Sequence, residues 1–193
     1  MGGSSRDVGR EVVRREGEAL LRLADALGPS FDEAVERILG CAGRVVLCGI
    51  GKSGQVAQKI ASTFVSTGTP AGFLHPVEGF HGDVGILTSR DVVVAVSNSG
   101  TNREVLDLLG VVRSLGASVI ALTASPTSPL ARAADVAVCW GEAKEADPLG
   151  LVPTVSSALT LAVGDALTVA VMVRRGFGAK DYALVHPSGA IGR

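Results

Sequence analysis

Asp91-Val92-Val93-Val94-Ala95-Val96-Ser97-Asn98-Ser99-Gly100-Thr101-Asn102-Arg103-Glu104 is the stretch whose reading decides the fold. Its apolar run, four valines and an alanine, suits a strand buried on both faces of a parallel sheet. The run breaks into small hydroxyl residues, a glycine and an asparagine. Val105, Leu106, Leu108, Leu109 and Val112 then repeat at helical spacing. The serines therefore sit where a strand hands over to a helix. Unpaired N–H groups and the positive end of the helix dipole favour an anion there. Ser97, Ser99 and Thr101 add hydroxyl donors, and the simplest ligand is the phosphate of a small metabolite. The plainer reading is a strand-to-helix turn capped by Ser or Thr.

A second strand–loop–helix unit precedes it. Arg44 to Cys48 reads as a core strand that runs into Gly49-Ile50-Gly51-Lys52-Ser53-Gly54, and Val56, Ile60, Ala61, Phe64 and Val65 follow at helical spacing. The loop resembles parts of two phosphate-binding patterns. Val46 or Leu47 stands where a P-loop needs its first glycine. Gly49, Gly51 and Gly54 satisfy G-x-G-x-x-G, but the acidic residue of a dinucleotide site is missing where Thr67-Gly68-Thr69-Pro70 stands. A nucleotide stays the second reading, and Lys52 alternatively points a cation at a substrate.

Further strands are expected at Gly72–Leu74, Ser118–Thr123 and Val136–Trp140, with a short helix over Pro129–Ala133. Strands alternating with helices predict a doubly wound, mostly parallel α/β sheet with helices on both faces, whose ligands bind beyond the strands' carboxyl ends. Two of the three histidines, His75 and His81, lie just past one such end, with Glu78 and Asp83 nearby. Substrate contact or structure is the first reading for them and a metal the second. Upstream, residues 8–27 form an amphipathic helix stopped by Gly28-Pro29. Ser30 with Glu33 predicts a capping box for a second helix ending at Gly40. These residues make an N-terminal arm, 1–40, before the domain at 41–193.

Composition narrows the function. Net charge is -1 and aromatic residues make up 4% of 193. Neither suits a nucleic-acid surface, an anionic membrane or a base-stacking platform. Cys41, Cys48 and Cys139 are odd in number and lack metal spacing. Cys48 and Cys139 lie in apolar runs and read as buried reduced thiols, as expected in a cytoplasmic protein. The start of the chain lacks the apolar core of a signal peptide. Leu151–Val173 is long and apolar, but Asp165 near its centre favours a buried helix, shared with another subunit, over a membrane span.

Taken together, Gly51-Lys52-Ser53-Gly54, Ser66-Thr67-Gly68-Thr69-Pro70, His75-Pro76 through His81-Gly82-Asp83, Ser97-Asn98-Ser99-Gly100, Lys144-Glu145-Ala146-x-Pro148-Leu149-Gly150 and His186-Pro187-x-Gly189-Ala190 resemble the sugar isomerase domain family. The match is strongest to its arabinose 5-phosphate isomerase branch and runs from about Arg44 to Arg193. Each motif is weak alone, and six in this order are specific. The resemblance implies a flavodoxin-like three-layer fold and interconversion of D-ribulose 5-phosphate and D-arabinose 5-phosphate through an enediol. That reaction supplies the octulosonate sugar of Gram-negative lipopolysaccharide.

It further implies phosphate contacts at Ser53, Ser97 and Ser99, and catalytic relevance for Lys52, Glu104, Glu145 and His186. Substrate contacts are implied at Gly68, Thr69, His75 and His81, and Asn98 and Thr101 belong to the same turn. It implies an inhibitory zinc at His75, no required cofactor, and a homo-oligomer, expected to be a tetramer. A non-catalytic sugar-phosphate-binding module and a hexulose or heptose phosphate isomerase of the same fold are the other readings. Three departures stand out. Thr101-Asn102 replace the usual acidic or hydroxyl residues after the Ser-Gly. Asp147 replaces a cysteine, and its carboxylate is expected to raise the pKa of Glu145. The tandem regulatory domains of many relatives do not follow Arg193, which would make this a minimal catalytic form. Glu145 is expected to be the base, His186 to move protons at the oxygens, and Lys52 to stabilise the enediolate. Glu104 reads equally as the partner of Thr101 in a helix capping box.

Overall fold

The computed structural model describes residues 4–187. Five strands, β1 (Val45–Gly49), β2 (Ala71–Leu74), β3 (Val92–Val96), β4 (Ser118–Thr123) and β5 (Val136–Cys139), form one sheet in the order β2-β1-β3-β4-β5 with every pairing parallel. The expected doubly wound sheet is present. The register sorts side chains by size. Leu47, Val94, Ile120 and Val136 align across the sheet and face one side, while Cys48, Ala95, Ala121 and Ala137 align in the next row and face the other. In these two rows bulky residues meet the first layer and small ones the second, where Val46, Val93 and Val119 add a larger row.

The first face is covered by α1 (Ser5–Ala26), α2 (Pro29–Leu39), α3 (Gly51–Ser66) and α7 (Val155–Arg174). The second carries α4 (Pro76–Gly79), α5 (Arg103–Ser114) and α6 (Pro129–Ala133). A 3-10 turn at Asp83–Ile86 and α8 (Ala179–Val185) complete the described elements. Two short pieces, α4 and α8, have no periodicity long enough to be read from sequence.

The helical arm packs into the first layer through Ala19 and Leu23 of α1 and Ala34, Val35 and Ile38 of α2. Its caps differ from expectation. Ser4 and Asp7 form a capping box for α1 that the sequence reading passed over. The box expected from Ser30 and Glu33 does not form, because Pro29 already takes the first helical position and Gly28 caps α2. Glu33 instead pairs with Arg37 at 3.2 Å.

By length and mean hydropathy, 1.7, α7 could cross a membrane. Here half of it is buried against α1, α2 and α3, and Asp165 pairs with Lys59 of α3 at 2.5 Å. A Cβ on Gly164 would fall inside the Ile60 side chain, so glycine lets α7 and α3 close together. All three cysteines are free. Burial pushes the Cys48 thiol up to about 12. Cys139 is only partly buried, against expectation, because β5 is the sheet's edge.

Asp91 anchors the start of β3. Its carboxylate, 3% exposed, accepts the N–H of Arg44 at 2.6 Å, the N–H of Thr88 at 2.7 Å and the Thr88 hydroxyl at 3.0 Å. Burial pushes this carboxyl up, but those donors outweigh it and hold it below the ordinary range. Its stabilising effect is therefore present at neutral pH and lost as pH falls through the depressed folded-state value. Asp91→Ala should cost about 1–3 kcal/mol at neutral pH by leaving part-buried N–H groups without their charged acceptor. Denaturant melts should show that cost shrinking in acid, where the wild-type carboxyl also protonates.

Candidate active site

In a parallel sheet of this order, the crossovers from β1 and β3 leave in opposite directions, which opens a crevice at their carboxyl ends. A cleft of about 530 Å³ lies there. Its wall draws on the turn after β1 (Lys52, Ser53), the turn after β3 (Asn98, Ser99, Asn102) and the segment from β5 to α7 (Lys144, Glu145, Leu151, Pro153, Ser156).

Glycines build the first turn. Gly51 has φ +59° and opens α3, placing Lys52 and Ser53 in its first turn. Gly49 and Gly54 approach so closely that a Cβ on Gly54 would lie 2.6 Å from the Gly49 carbonyl oxygen. These glycines thus serve strand–helix packing. Lys52 donates to the Gln55 side chain at 3.1 Å.

In the second turn Gly100 has φ +64°, and a Cβ there would collide with Ser128. Ser99 faces the cleft, its hydroxyl 2.9 Å from that of Thr101. Ser97, expected at the phosphate, lies at the base of the turn. It is 1% exposed, accepts the Gly100 N–H at 3.1 Å and donates to Asn102 Oδ1 at 2.5 Å. Its hydroxyl is used in shaping the turn.

The same bond corrects the capping reading. Asn102 is the residue capping α5, and its side chain is turned to Ser97, so the Thr101–Glu104 capping box does not form. Asn98 is oriented by Trp140, whose indole N–H donates to Asn98 Oδ1 at 3.2 Å. An indole nitrogen only donates, so the Asn98 amide nitrogen, with its two donors, is left for the cleft.

Glu145 comes from the loop after β5 and caps α7 from outside. Its Oε2 accepts the Thr154 N–H at 2.9 Å, the Thr154 hydroxyl at 3.1 Å and the Ser156 N–H at 3.2 Å. The last is one of the orphan donors of the α7 N-terminus. Oε1 takes none of the three. Burial pushes the Glu145 carboxyl up, but the Ser156 hydroxyl and N–H and the Thr154 N–H and hydroxyl hold it below the ordinary carboxylate range. The expected upward shift from Asp147 is thereby overturned, because the donors of Thr154 and Ser156 decide the Glu145 carboxyl, while the Asp147 oxygens face other backbone N–H groups.

The cleft of this chain gathers Lys52, Ser53, Asn98, Ser99 and Glu145, and it adds Lys144 and Asn102, which the sequence reading left off its site. Other expected residues lie elsewhere. Glu104 is exposed in the first turn of α5. Gly68 and Thr69 follow the far end of α3, roughly 24 Å of helix from Lys52. The Thr69 hydroxyl is buried without a partner among the described residues. His75 caps α4 with its Nδ1 likewise unpaired, and His81 is exposed. No group of three or more His, Cys, Asp or Glu able to hold a metal occurs among the described residues, so zinc on His75 would need ligands from elsewhere. His186 ends α8, its Nδ1 3.1 Å from the Tyr182 carbonyl and its ring stacked on Tyr182 at 3.9 Å. A carbonyl only accepts, so Nδ1 carries the proton, and Nε2 has no partner among the described residues. Gly189 and Ala190 lie outside the described residues.

Thr154→Val keeps the backbone donor to Glu145 and removes the hydroxyl. Titration of the Glu145 carboxyl by 13C NMR should then give a higher pKa than in the wild type, still with the carboxylate charged at neutral pH.

Comparison with known proteins places this architecture. The SIS domain profile matches residues 38–170. The chain is 50% identical over 185 residues to the arabinose 5-phosphate isomerase KdsD of Shigella flexneri and to that of Escherichia coli K12, covering 96% of this chain and 56% of each relative. The chain thus spans a little over half the length of these curated relatives. The structure of E. coli CFT073 c3406 in complex with arabinose 5-phosphate superposes with a TM-score of 0.91 at 37% identity, covering 96% of this chain and all of that one. The phosphoheptose isomerase GmhA of Neisseria gonorrhoeae, 17% identical with a TM-score of 0.71, shares the fold alone. With a five-stranded parallel sheet, a cleft at its switch point and a profile match over most of its length, the chain belongs to the SIS domain family.

Proposed function

We propose that this chain is a sugar-phosphate isomerase that interconverts D-arabinose 5-phosphate and D-ribulose 5-phosphate through an enediol. The observation that carries the reading is Glu145, an ionised carboxylate at the edge of a cationic, donor-lined cleft. Names of the half-identical relatives and the arabinose 5-phosphate complex of c3406 support the choice of sugar.

In this reading the phosphate sits against the α3 N-terminus, Ser53, Ser99 and the Asn98 amide, where free N–H groups and hydroxyls favour an anion. The sugar carbons then reach toward Glu145. Glu145 takes a proton from C2 of the open-chain aldose, exchanges it with solvent at the enediol stage and delivers one to C1, transfers that a positioned carboxylate accelerates. Charge that develops on the enediolate oxygens is met by Lys52 and Lys144. Glu145 is preferred to Glu104 because Glu104 lies outside the cleft of its own chain. His186 would move the proton between the oxygens through its Nε2.

Since Gly68, Thr69 and His186 stand away from this cleft, we infer a homo-oligomer, a tetramer by resemblance, in which a neighbouring subunit brings them to it. Exposed apolar residues on α1 (Val13, Leu21), α7 (Val169, Val173) and α8 (Leu184, Val185) are the surfaces available for that contact. The reading needs no cofactor, and it carries with it a cytoplasmic location and a place in lipopolysaccharide sugar synthesis.

Incubation with D-arabinose 5-phosphate and a chelator should produce D-ribulose 5-phosphate. Glu145→Gln should lower kcat by about 100- to 10,000-fold while circular dichroism shows the fold intact, with a small drop in Tm from the weakened α7 cap. Binding without turnover in the wild type would replace the isomerase with a sugar-phosphate-binding module. Turnover of a hexulose or heptose phosphate alone would move the substrate.

A further inference from the structure

The loop that joins Glu145 to α7 is held by a second carboxylate. Asp147 Oδ1 accepts the Leu149 N–H at 2.9 Å, and Oδ2 accepts the N–H groups of Leu151 at 2.9 Å and Val152 at 2.8 Å. The Gly150 N–H donates to the Asp147 carbonyl at 3.1 Å. Four successive backbone donors thus converge on one residue. Apolar packing does not hold this segment in the chain, since Leu149 and Leu151 are 76% and 75% exposed. Hydrogen bonds to a charged acceptor, stronger than neutral ones, take its place. The segment matters because Gly150, Leu151 and Pro153 line the cleft, and the chain then delivers Thr154 and Ser156 to the Glu145 carboxylate.

We propose that Asp147 is a positioning residue, whose carboxylate folds residues 148–152 so that Leu151 and Pro153 wall the cleft and Thr154 and Ser156 meet Glu145. The catalytic consequence rests on the isomerase reading, and the structural one does not. Asparagine is not equivalent, because it offers a single acceptor oxygen and turns an N–H against the loop's own donors. The Asp147 carboxyl fits this role. Burial pushes it up, yet the N–H groups of Val152, Leu149 and Leu151 hold it below the ordinary range. The charged groups that share the cleft with Glu145 are its neighbour Lys144 and Lys52 of α3, and neither touches the Asp147 hydrogen bonds.

The test compares the wild type with Asp147→Ala and Asp147→Asn in the full chain. Amide hydrogen exchange at Leu149, Leu151 and Val152 should accelerate by about tenfold or more. The Glu145 carboxyl, followed by 13C NMR, should titrate closer to its ordinary value as Thr154 and Ser156 loosen. Turnover of D-arabinose 5-phosphate should fall roughly 10- to 100-fold in kcat, with the acid limb of kcat/KM moving up alongside the NMR titration. A structural role alone would not move that limb. Unchanged exchange and unchanged Glu145 titration overturn the proposal, and an unchanged kcat with both altered overturns its catalytic half. If the wild type turns over no sugar phosphate, the isomerase reading fails while the exchange and titration still decide the loop. Should Asp147→Ala not fold, the isosteric Asp147→Asn carries the same readouts.

Discussion

The parallel pairing of β1 with β3 is the constraint on which the rest depends. Five residues of each strand lie in register, from Val45 beside Val92 to Gly49 beside Val96. From that pair one connection runs out to β2 and the other to β4, so the two diverge at the carboxyl ends of β1 and β3. The crevice left there receives two helix N-termini, those of α3 and α5, each reached through a glycine at positive φ. Sheet pairing thus creates the site, and the tight turns bring backbone N–H groups and short hydroxyl side chains to its floor.

A third helix N-terminus completes it. The loop from β5 carries Glu145 back over the start of α7, where the carboxylate is both a helix cap and the wall of the cleft. That dual use fixes the charge state. Donors that satisfy a helix end also keep the carboxyl ionised against the opposing effect of burial. A carboxylate so tied is a weaker base than one left bare, but it is present in the basic form at neutral pH and held in one position, with Oε1 outside the capping bonds. Asp147 repeats the device two residues on, where backbone N–H groups of an exposed loop are gathered instead of a helix end.

Much of this was legible in the residues. The valine run of β3 and the strand before Gly49 are apolar on both faces, as strands of a covered parallel sheet must be, and the glycine- and serine-rich turns fell at their ends. What sequence could not carry was the competition for local hydrogen bonds. Ser97 donates to Asn102 within its own turn, and the same bond removes the capping role read for Thr101 and Glu104. Ser30 lost its cap to a proline one residue earlier. The pKa of Glu145 was misread for the same reason. Proximity to Asp147 in sequence suggested repulsion, whereas each carboxylate found its own donors. Trp140 and Asn98 are 42 residues apart and carried no spacing signal for their bond. Lys144 stood inside a motif already noted, and its place beside Glu145 was the available clue.

Solvent exchange tests the central claim, that the Glu145 carboxylate abstracts a carbon-bound proton, most directly. The protein would be incubated with D-arabinose 5-phosphate in deuterium oxide, and the label at C2 of the aldose and C1 of the ketose followed by NMR. The account predicts deuterium at both carbons with wild-type protein and almost none with Glu145→Gln. Label entering as fast with Glu145→Gln, or no label with the wild type, would contradict it.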